Sequence, residues 1–157
     1  LKQLELYQAD HGCVVVMETK TGQIKAISNL GRDTDGSYYE TTNYAYTESH
    51  EPGSTFKLVD MMILLEDKKI DTSAVFNTYA GVVKYSGKSV RDSHTGGYGK
   101  ISLARGFEVS SNTVLVQAVY NNYKNNPSQF VNHINAIGLN ILRRSLWLRK
   151  NLKLYLP

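Results

Sequence analysis

The chain has one cysteine, one tryptophan and three prolines in 157 residues, and no long apolar run. A lone Cys13 permits no internal disulfide. Its place beside Val14, Val15 and Val16 predicts a small buried hydrophobe rather than a nucleophile. His11, His50, His94 and His133 stand far apart with no Cys or His at ligand spacing, so no metal site is predicted. No apolar stretch approaches the ~18 residues that span a bilayer, and no charged segment leading into an apolar one opens the chain as a signal. The first residue is Leu1 rather than Met, which fits a piece of a longer polypeptide. A cluster of Lys and Arg interleaved with aromatics is also missing from residues 1–140, which argues against nucleic acid as a partner.

What is present is enough for a core. With 41% hydrophobic residues and a mean hydropathy of -0.34, disorder over the whole length is excluded; a chain of this size buries roughly 70% of its unfolded surface. The net charge of +4 is unevenly placed. Residues 141–157 hold Arg143, Arg144, Arg149, Lys150 and Lys153 and no acid, whereas residues 1–140 carry 13 basic and 14 acidic side chains. The excess therefore belongs to the tail, and the body is almost neutral.

The pattern is mixed, without internal repeats. Residues 1–9 read as the end of a helix. Cys13 to Glu18 and Gln23 to Ser28 are β-rich runs around Thr19-Lys20-Thr21-Gly22, a hairpin turn in which Gly supplies positive φ. Residues 29–53 read as a long surface connection. From Ser54 the chain turns apolar nearly all round, with Lys57 and Asp60 as the interruptions, which predicts a buried helix. Val82 to Tyr85 and Ser89 to Asp92 suggest a small hairpin. Ile101 to Val109 and Thr113 to Tyr120 suggest two helices broken by Ser110-Ser111-Asn112. Asn126-Pro127-Ser128-Gln129 predicts a helix start with a capping box, and Gly138 a stop.

Chemistry enters at Glu51-Pro52-Gly53-Ser54-Thr55-Phe56-Lys57. Residues three apart on a helix share a face, so an amine at 57 can reach a hydroxyl at 54. Desolvation of that amine would let its neutral form accept the serine proton, as a weak hydroxyl nucleophile needs. The spacing alone says little: 13 serines, 12 lysines and 12 asparagines predict about one Ser-x-x-Lys and one Ser-x-Asn by chance, and one of each occurs. The context carries the signal: a Pro-Gly breaker, a buried helix beginning at Ser54, and Ser110-Ser111-Asn112 in its own break.

These segments closely resemble the first two motifs of the penicillin-binding protein transpeptidase domain, Glu-Pro-Gly-Ser-Thr-Phe-Lys and Ser-x-Asn. The resemblance covers about residues 1–140. Gly12 to Leu30 is similar to the family's opening hairpin. Arg91-Asp92-Ser93-His94, Gly96-Gly97-Tyr98-Gly99 and Phe107-Glu108-Val109 resemble the approach to the second motif in class B, monofunctional members. The fold implied is mixed α/β of the penicillin-recognising serine enzyme type (β-lactamase/transpeptidase-like), with a helical subdomain beside an antiparallel sheet, here incomplete. The resemblance makes Ser54 the acylated nucleophile, Lys57 its general base and Ser110 the proton relay toward a leaving D-alanine. Asn112 would hold the donor peptide's amide, with a hydrogen bond near Lys57. The reaction implied is D-alanyl-D-alanine transpeptidation of peptidoglycan stem peptides, with β-lactams acylating the same serine and no cofactor. Division or elongation machinery are implied partners. The parent protein is expected at the bacterial inner membrane, with this domain in the periplasm or otherwise outside the membrane.

Two departures qualify the resemblance. The family's third motif, Lys-Thr-Gly or Lys-Ser-Gly, lies downstream of Ser-x-Asn, but Lys20-Thr21-Gly22 lies upstream in a turn and nothing equivalent follows Asn112. That motif's strand supplies the second oxyanion donor, and losing such a donor costs roughly 3 to 4 kcal/mol, so this chain alone is expected to be inactive. Residues 141–157, leucine-rich and basic, do not match the family; a membrane-surface segment, a genuine end and out-of-frame translation compete, and the abrupt break favours the last. A truncated fold should expose a sheet edge and an apolar face. The alternatives are a class D-like β-lactamase or antibiotic-sensor domain, against which Asn112 argues, and a non-catalytic scaffold binding division partners.

Overall fold

The computed structural model describes residues 1–49, 51–85 and 87–139, so the tail and His50 lie outside it. The chain forms two compact units, Leu1–Glu51 and the part from Pro52 onward. In the first unit, α1 (Lys2–Tyr7) precedes β1 (His11–Met17), β2 (Ile24–Arg32) and β3 (Tyr38–Glu40), which form an antiparallel sheet in that order; α2 (Tyr44–Thr47) follows. The predicted hairpin is present, with Gly22 at φ +70 in its turn. Residues 29–53 are not one long connection: β2 runs on to Arg32 and β3 returns beside it. Gly31 is required there, because a Cβ would come within 2.6 Å of Thr41 Oγ1 and Tyr44 Oη. Tyr38 Oη reaches the carbonyls of Leu4 and Ala9 at 2.9 and 2.6 Å, tying the start of the chain to the sheet.

The expectation that Cys13 is buried is overturned: it is exposed. The reason is that β1 is an edge strand covered only at its start, where His11 stacks on Tyr44 and Gly12 abuts Leu4, so Val14, Val15, Val16 and Met17 are exposed as well. This is the bare apolar sheet edge anticipated for an incomplete fold.

In the second unit, Gly53–Phe56 form a 3-10 turn leading into α3 (Lys57–Glu66). β4 (Val75–Asn77) pairs with β7 (Lys100–Ser102), and β5 (Val82–Tyr85) with β6 (Lys88–Arg91), both antiparallel. α4 (Leu103–Glu108), α5 (Asn112–Tyr123) and α6 (Pro127–Ala136) complete it. The core is Met61, Ile63 and Leu64 of α3 with Leu103, Val114, Leu115, Ala118 and Tyr123. The helix α3 is not buried all round. It packs on α5 and α6, and its other side, Leu58, Met62 and Leu65, is exposed because nothing among the described residues covers it. Residues 101 and 102 belong to β7 rather than to a helix, and Ser102 Oγ caps α4 by accepting from Arg105 N–H.

The predicted capping box at α6 is not formed. Asn126 makes no side-chain cap, and Gln129 Nε2 donates instead to Asp67 at 2.9 Å, just past the end of α3. Asp67 also accepts from Tyr123 Oη at 2.7 Å and pairs with His133 Nε2 at 2.7 Å, so one carboxylate joins α3 to α5 and α6. The Tyr123 hydrogen bond, then that of His133, hold the Asp67 carboxyl below the usual carboxylate range. A carboxyl depressed by folding stabilises the native state above its unfolded pKa, and the benefit disappears as pH falls through the folded value. Asp67→Asn is therefore expected to be less stable than the parent at neutral pH, with the two unfolding midpoints converging below the ordinary carboxylate range. Denaturant titrations at a series of pH values measure this, and a gap that persists in strong acid contradicts it.

Candidate active site

Ser54 lies in the 3-10 turn entered through Gly53, whose φ of +56 favours glycine. Its side chain is exposed, and its Oγ makes no hydrogen bond among the described residues. One turn on, Lys57 opens α3 and is 8% exposed. Its Nζ donates to the Ser110 carbonyl at 2.6 Å and to Ser110 Oγ at 2.9 Å, a contact between residues 53 apart in sequence. The structure thus joins the last residue of one predicted motif to the first residue of the other.

Local backbone explains how Ser110 meets Lys57. Ser110 sits at φ +55, a left-handed conformation that costs a non-glycine residue roughly 1 to 2 kcal/mol. Hydrogen bonds on either side hold it there: Ser110 N–H to Phe107 O at 3.0 Å and Ser111 N–H to Gly106 O at 2.7 Å. Gly106 lets α5 come this close, since a Cβ there would stand 2.4 Å from Val114 Cγ1. The Ser111 side chain caps α5 by accepting from Val114 N–H at 3.1 Å. A cap and a strained turn together place both the carbonyl and the hydroxyl of Ser110 at the amine.

Asp92 organises this turn, and reading the sequence gave it no role. Its carboxylate accepts from Ser111 Oγ at 3.0 and 3.2 Å, from Thr113 N–H at 2.9 Å and from Thr113 Oγ1 at 2.8 Å. Asn112 lies alongside, its Nδ2 donating to Arg91 O at 2.7 Å rather than bonding to Lys57. Nothing in the local sequence signals this, because the donors lie some twenty residues downstream. Lys20-Thr21-Gly22 stays in the β1–β2 turn of the first unit, as its position predicts.

Burial pushes the Lys57 ammonium below its ordinary pKa, partly opposed by the negative charges of Asp92 and Asp60. Asp60, one turn further along α3, is itself pushed up to about 6 by burial, with Lys57 pulling the other way. An amine predisposed to lose its proton, hydrogen-bonded to a hydroxyl and one helical turn from an exposed serine, is suited to moving protons for acyl transfer. Among the described residues, no group of three His, Cys, Asp or Glu could hold a metal, and no helix is long and apolar enough to cross a membrane.

Several known proteins resemble this chain. The probable peptidoglycan D,D-transpeptidase PenA of Neisseria gonorrhoeae is 33% identical over 98 residues, covering 59% of this chain and 16% of that protein. PenA of Neisseria flavescens is 30% identical over 98 residues, covering 59% of this chain and 24% of the relative. The chain therefore spans less than a quarter of the curated relatives it matches. The fold is that of the transpeptidase domain of Burkholderia pseudomallei penicillin-binding protein 3, with a TM-score of 0.73 at 20% identity over 87% of this chain and 37% of that one. A peptidoglycan synthetase of Bifidobacterium adolescentis matches with a TM-score of 0.70 at 24% identity, over 87% of this chain and 25% of that one. Such partial coverage of the solved domains fits an incomplete fold. With residues 12–143 matching the model of the penicillin-binding protein transpeptidase domain, the chain belongs to that family.

Proposed function

We propose that this chain carries the acylation machinery of a peptidoglycan D,D-transpeptidase, with Ser54 as nucleophile, Lys57 as base, Ser110 as relay and Asn112 as a substrate-amide holder. The observation that supports it most is the contact of Lys57 Nζ with Ser110 Oγ at 2.9 Å. A neutral amine has two N–H bonds and one lone pair. The two N–H bonds satisfy the Ser110 carbonyl and hydroxyl, and the lone pair is left to take the Ser54 proton. Ser54 Oγ then attacks the penultimate D-alanine carbonyl of a stem peptide, the proton passes through Ser110 to the departing D-alanine amine, and an ester forms on Ser54. A neighbouring strand's amine attacks that ester, forms the cross-linking amide and returns the proton to Ser54. Asn112 Nδ2 is held by Arg91 O, leaving its Oδ1 to accept from a substrate amide N–H.

This chain alone is inactive in the proposal, since no Lys-Thr-Gly or Lys-Ser-Gly follows Asn112 to provide the second oxyanion donor. The parent protein would act outside the bacterial inner membrane. Residues 141–157 would be out-of-frame, a reading that fails if no reading frame of the coding DNA restores that motif. Mass spectrometry after incubation with penicillin tests the chemistry. The chain as it stands is expected to show no adduct. Fused to the C-terminal part of a related transpeptidase domain, it is expected to be acylated at Ser54 and not in Ser54→Ala. No Ser54 adduct on a folded, completed domain sinks the nucleophile assignment, and ready acylation of the lone chain sinks the claim of inactivity.

A further inference from the structure

Asp60 belongs to neither motif, yet it lies one helical turn beyond Lys57, between the apolar Val59 and Met61, and is half-buried. Residues three apart on a helix share a face, with Cβ atoms about 5 to 6 Å apart. Its carboxylate makes no hydrogen bond or ion pair among the described residues. A partly desolvated carboxylate without donors is unfavourable unless a cation is close, and an apolar residue would suit this stretch of α3 better. The neighbouring cation is Lys57, whose own hydrogen bonds go to Ser110 across the fold. The negative charge of Asp92, in the segment after β6, also favours the ammonium form of that amine. The other titratable groups that meet α3, Tyr123 of α5 and His133 of α6, are engaged by Asp67 at the far end of the helix.

We propose that Asp60 is a positioning residue for Lys57: its carboxylate, on the same helix face, stabilises the ammonium form and so governs how much neutral amine is available at Ser54. The link to catalysis rests on Lys57 being the base; the coupling between the two side chains does not. Ionised Asp60 holds the proton on Lys57. Protonated Asp60 releases that hold, and burial pushes the Asp60 carboxyl up to about 6, against the pull of Lys57. The charges of two carboxylates therefore act on Lys57: Asp92 also builds the Ser110 turn, whereas Asp60 acts on charge alone.

The test follows the Lys57 side chain by 13C and 15N NMR across pH in this chain, assigned with Lys57→Arg. In the parent, the Lys57 signal is expected to show a minor step at about pH 6 as Asp60 ionises, before its main titration. Asp60→Asn, which preserves shape, is expected to remove the step and lower the Lys57 midpoint by about one pH unit, and Asp60→Glu to restore most of it. An unchanged midpoint in folded Asp60→Asn overturns the proposal. If that variant does not fold, absence of the step in the parent overturns it equally. Because the readout is the lysine itself, a coupled pair in a completed domain that penicillin fails to acylate would overturn the catalytic reading and leave the coupling standing.

Discussion

Asp92→Ala is expected to destabilise the second unit by about 3 kcal/mol and to release the turn that presents Ser110. The carboxylate accepts from three donors on two residues, and those residues, Ser111 and Thr113, are 1% and 0% exposed. Water cannot readily replace it. The two hydroxyls can partly compensate, since Ser111 Oγ and Thr113 Oγ1 already lie 3.1 Å apart. The Thr113 N–H has no such recourse, and a buried donor left unpaired costs about 1 to 3 kcal/mol. Losing the charge-assisted bonds of the hydroxyls adds to this. Asp92→Asn keeps one acceptor oxygen and is expected to lose about half as much. Denaturant unfolding of the three proteins measures both values, and an Asp92→Ala midpoint equal to the parent's would contradict the account. A second consequence separates this role from simple packing. Asp92 is one of two anions that oppose deprotonation of Lys57, so in any Asp92→Asn protein that stays folded the lysine midpoint is expected to fall.

Asp92 also shows where sequence reasoning stops. Ser54, Lys57, Ser110 and Asn112 could be read because their motifs are short and each sits at a break in periodicity: a Pro-Gly entry, or a gap between two apolar runs. The two hairpins could be read for the same local reason, since Gly22 and Gly87 adopt positive φ between β-rich runs. A carboxylate whose donors arrive from the start of α5, some twenty residues on, leaves no periodic trace. The pairing of β4 with β7 was missed likewise: each strand has three residues, too few to show alternation, and the pairing is non-local. Gln129 illustrates the opposite error. Its spacing from Asn126 fits a capping box, but Asp67 offers a charged acceptor, which a neutral backbone cap does not match. Cys13 and the outward side of α3 were misjudged because apolar composition predicts burial only when a partner exists to cover it. Composition specifies a demand for burial, and the described residues meet only part of it.

Lys57 is the residue at which stability and chemistry should oppose each other most clearly. Replacing it with methionine, of similar length and without charge, is expected to lower penicillin acylation of the completed domain by ~10² to 10⁴, the usual worth of a general base. The same substitution is expected to raise the thermal midpoint of the chain at neutral pH. Folding depresses the lysine's pKa because burial disfavours the ammonium, so below that depressed value the charged amine costs stability, and the cost disappears as pH rises through the unfolded value of 10.5. Methionine removes this cost but leaves the Ser110 carbonyl and hydroxyl without their donor, a smaller loss at a turn that solvent partly reaches. The stabilisation of Lys57→Met over the parent should therefore be larger at pH 7 than above pH 10. Circular dichroism melts at the two pH values decide the matter. A lower midpoint at pH 7 would mean that the Ser110 hydrogen bonds outweigh desolvation, in which case the amine is held as a stable ammonium rather than poised to accept the proton of Ser54.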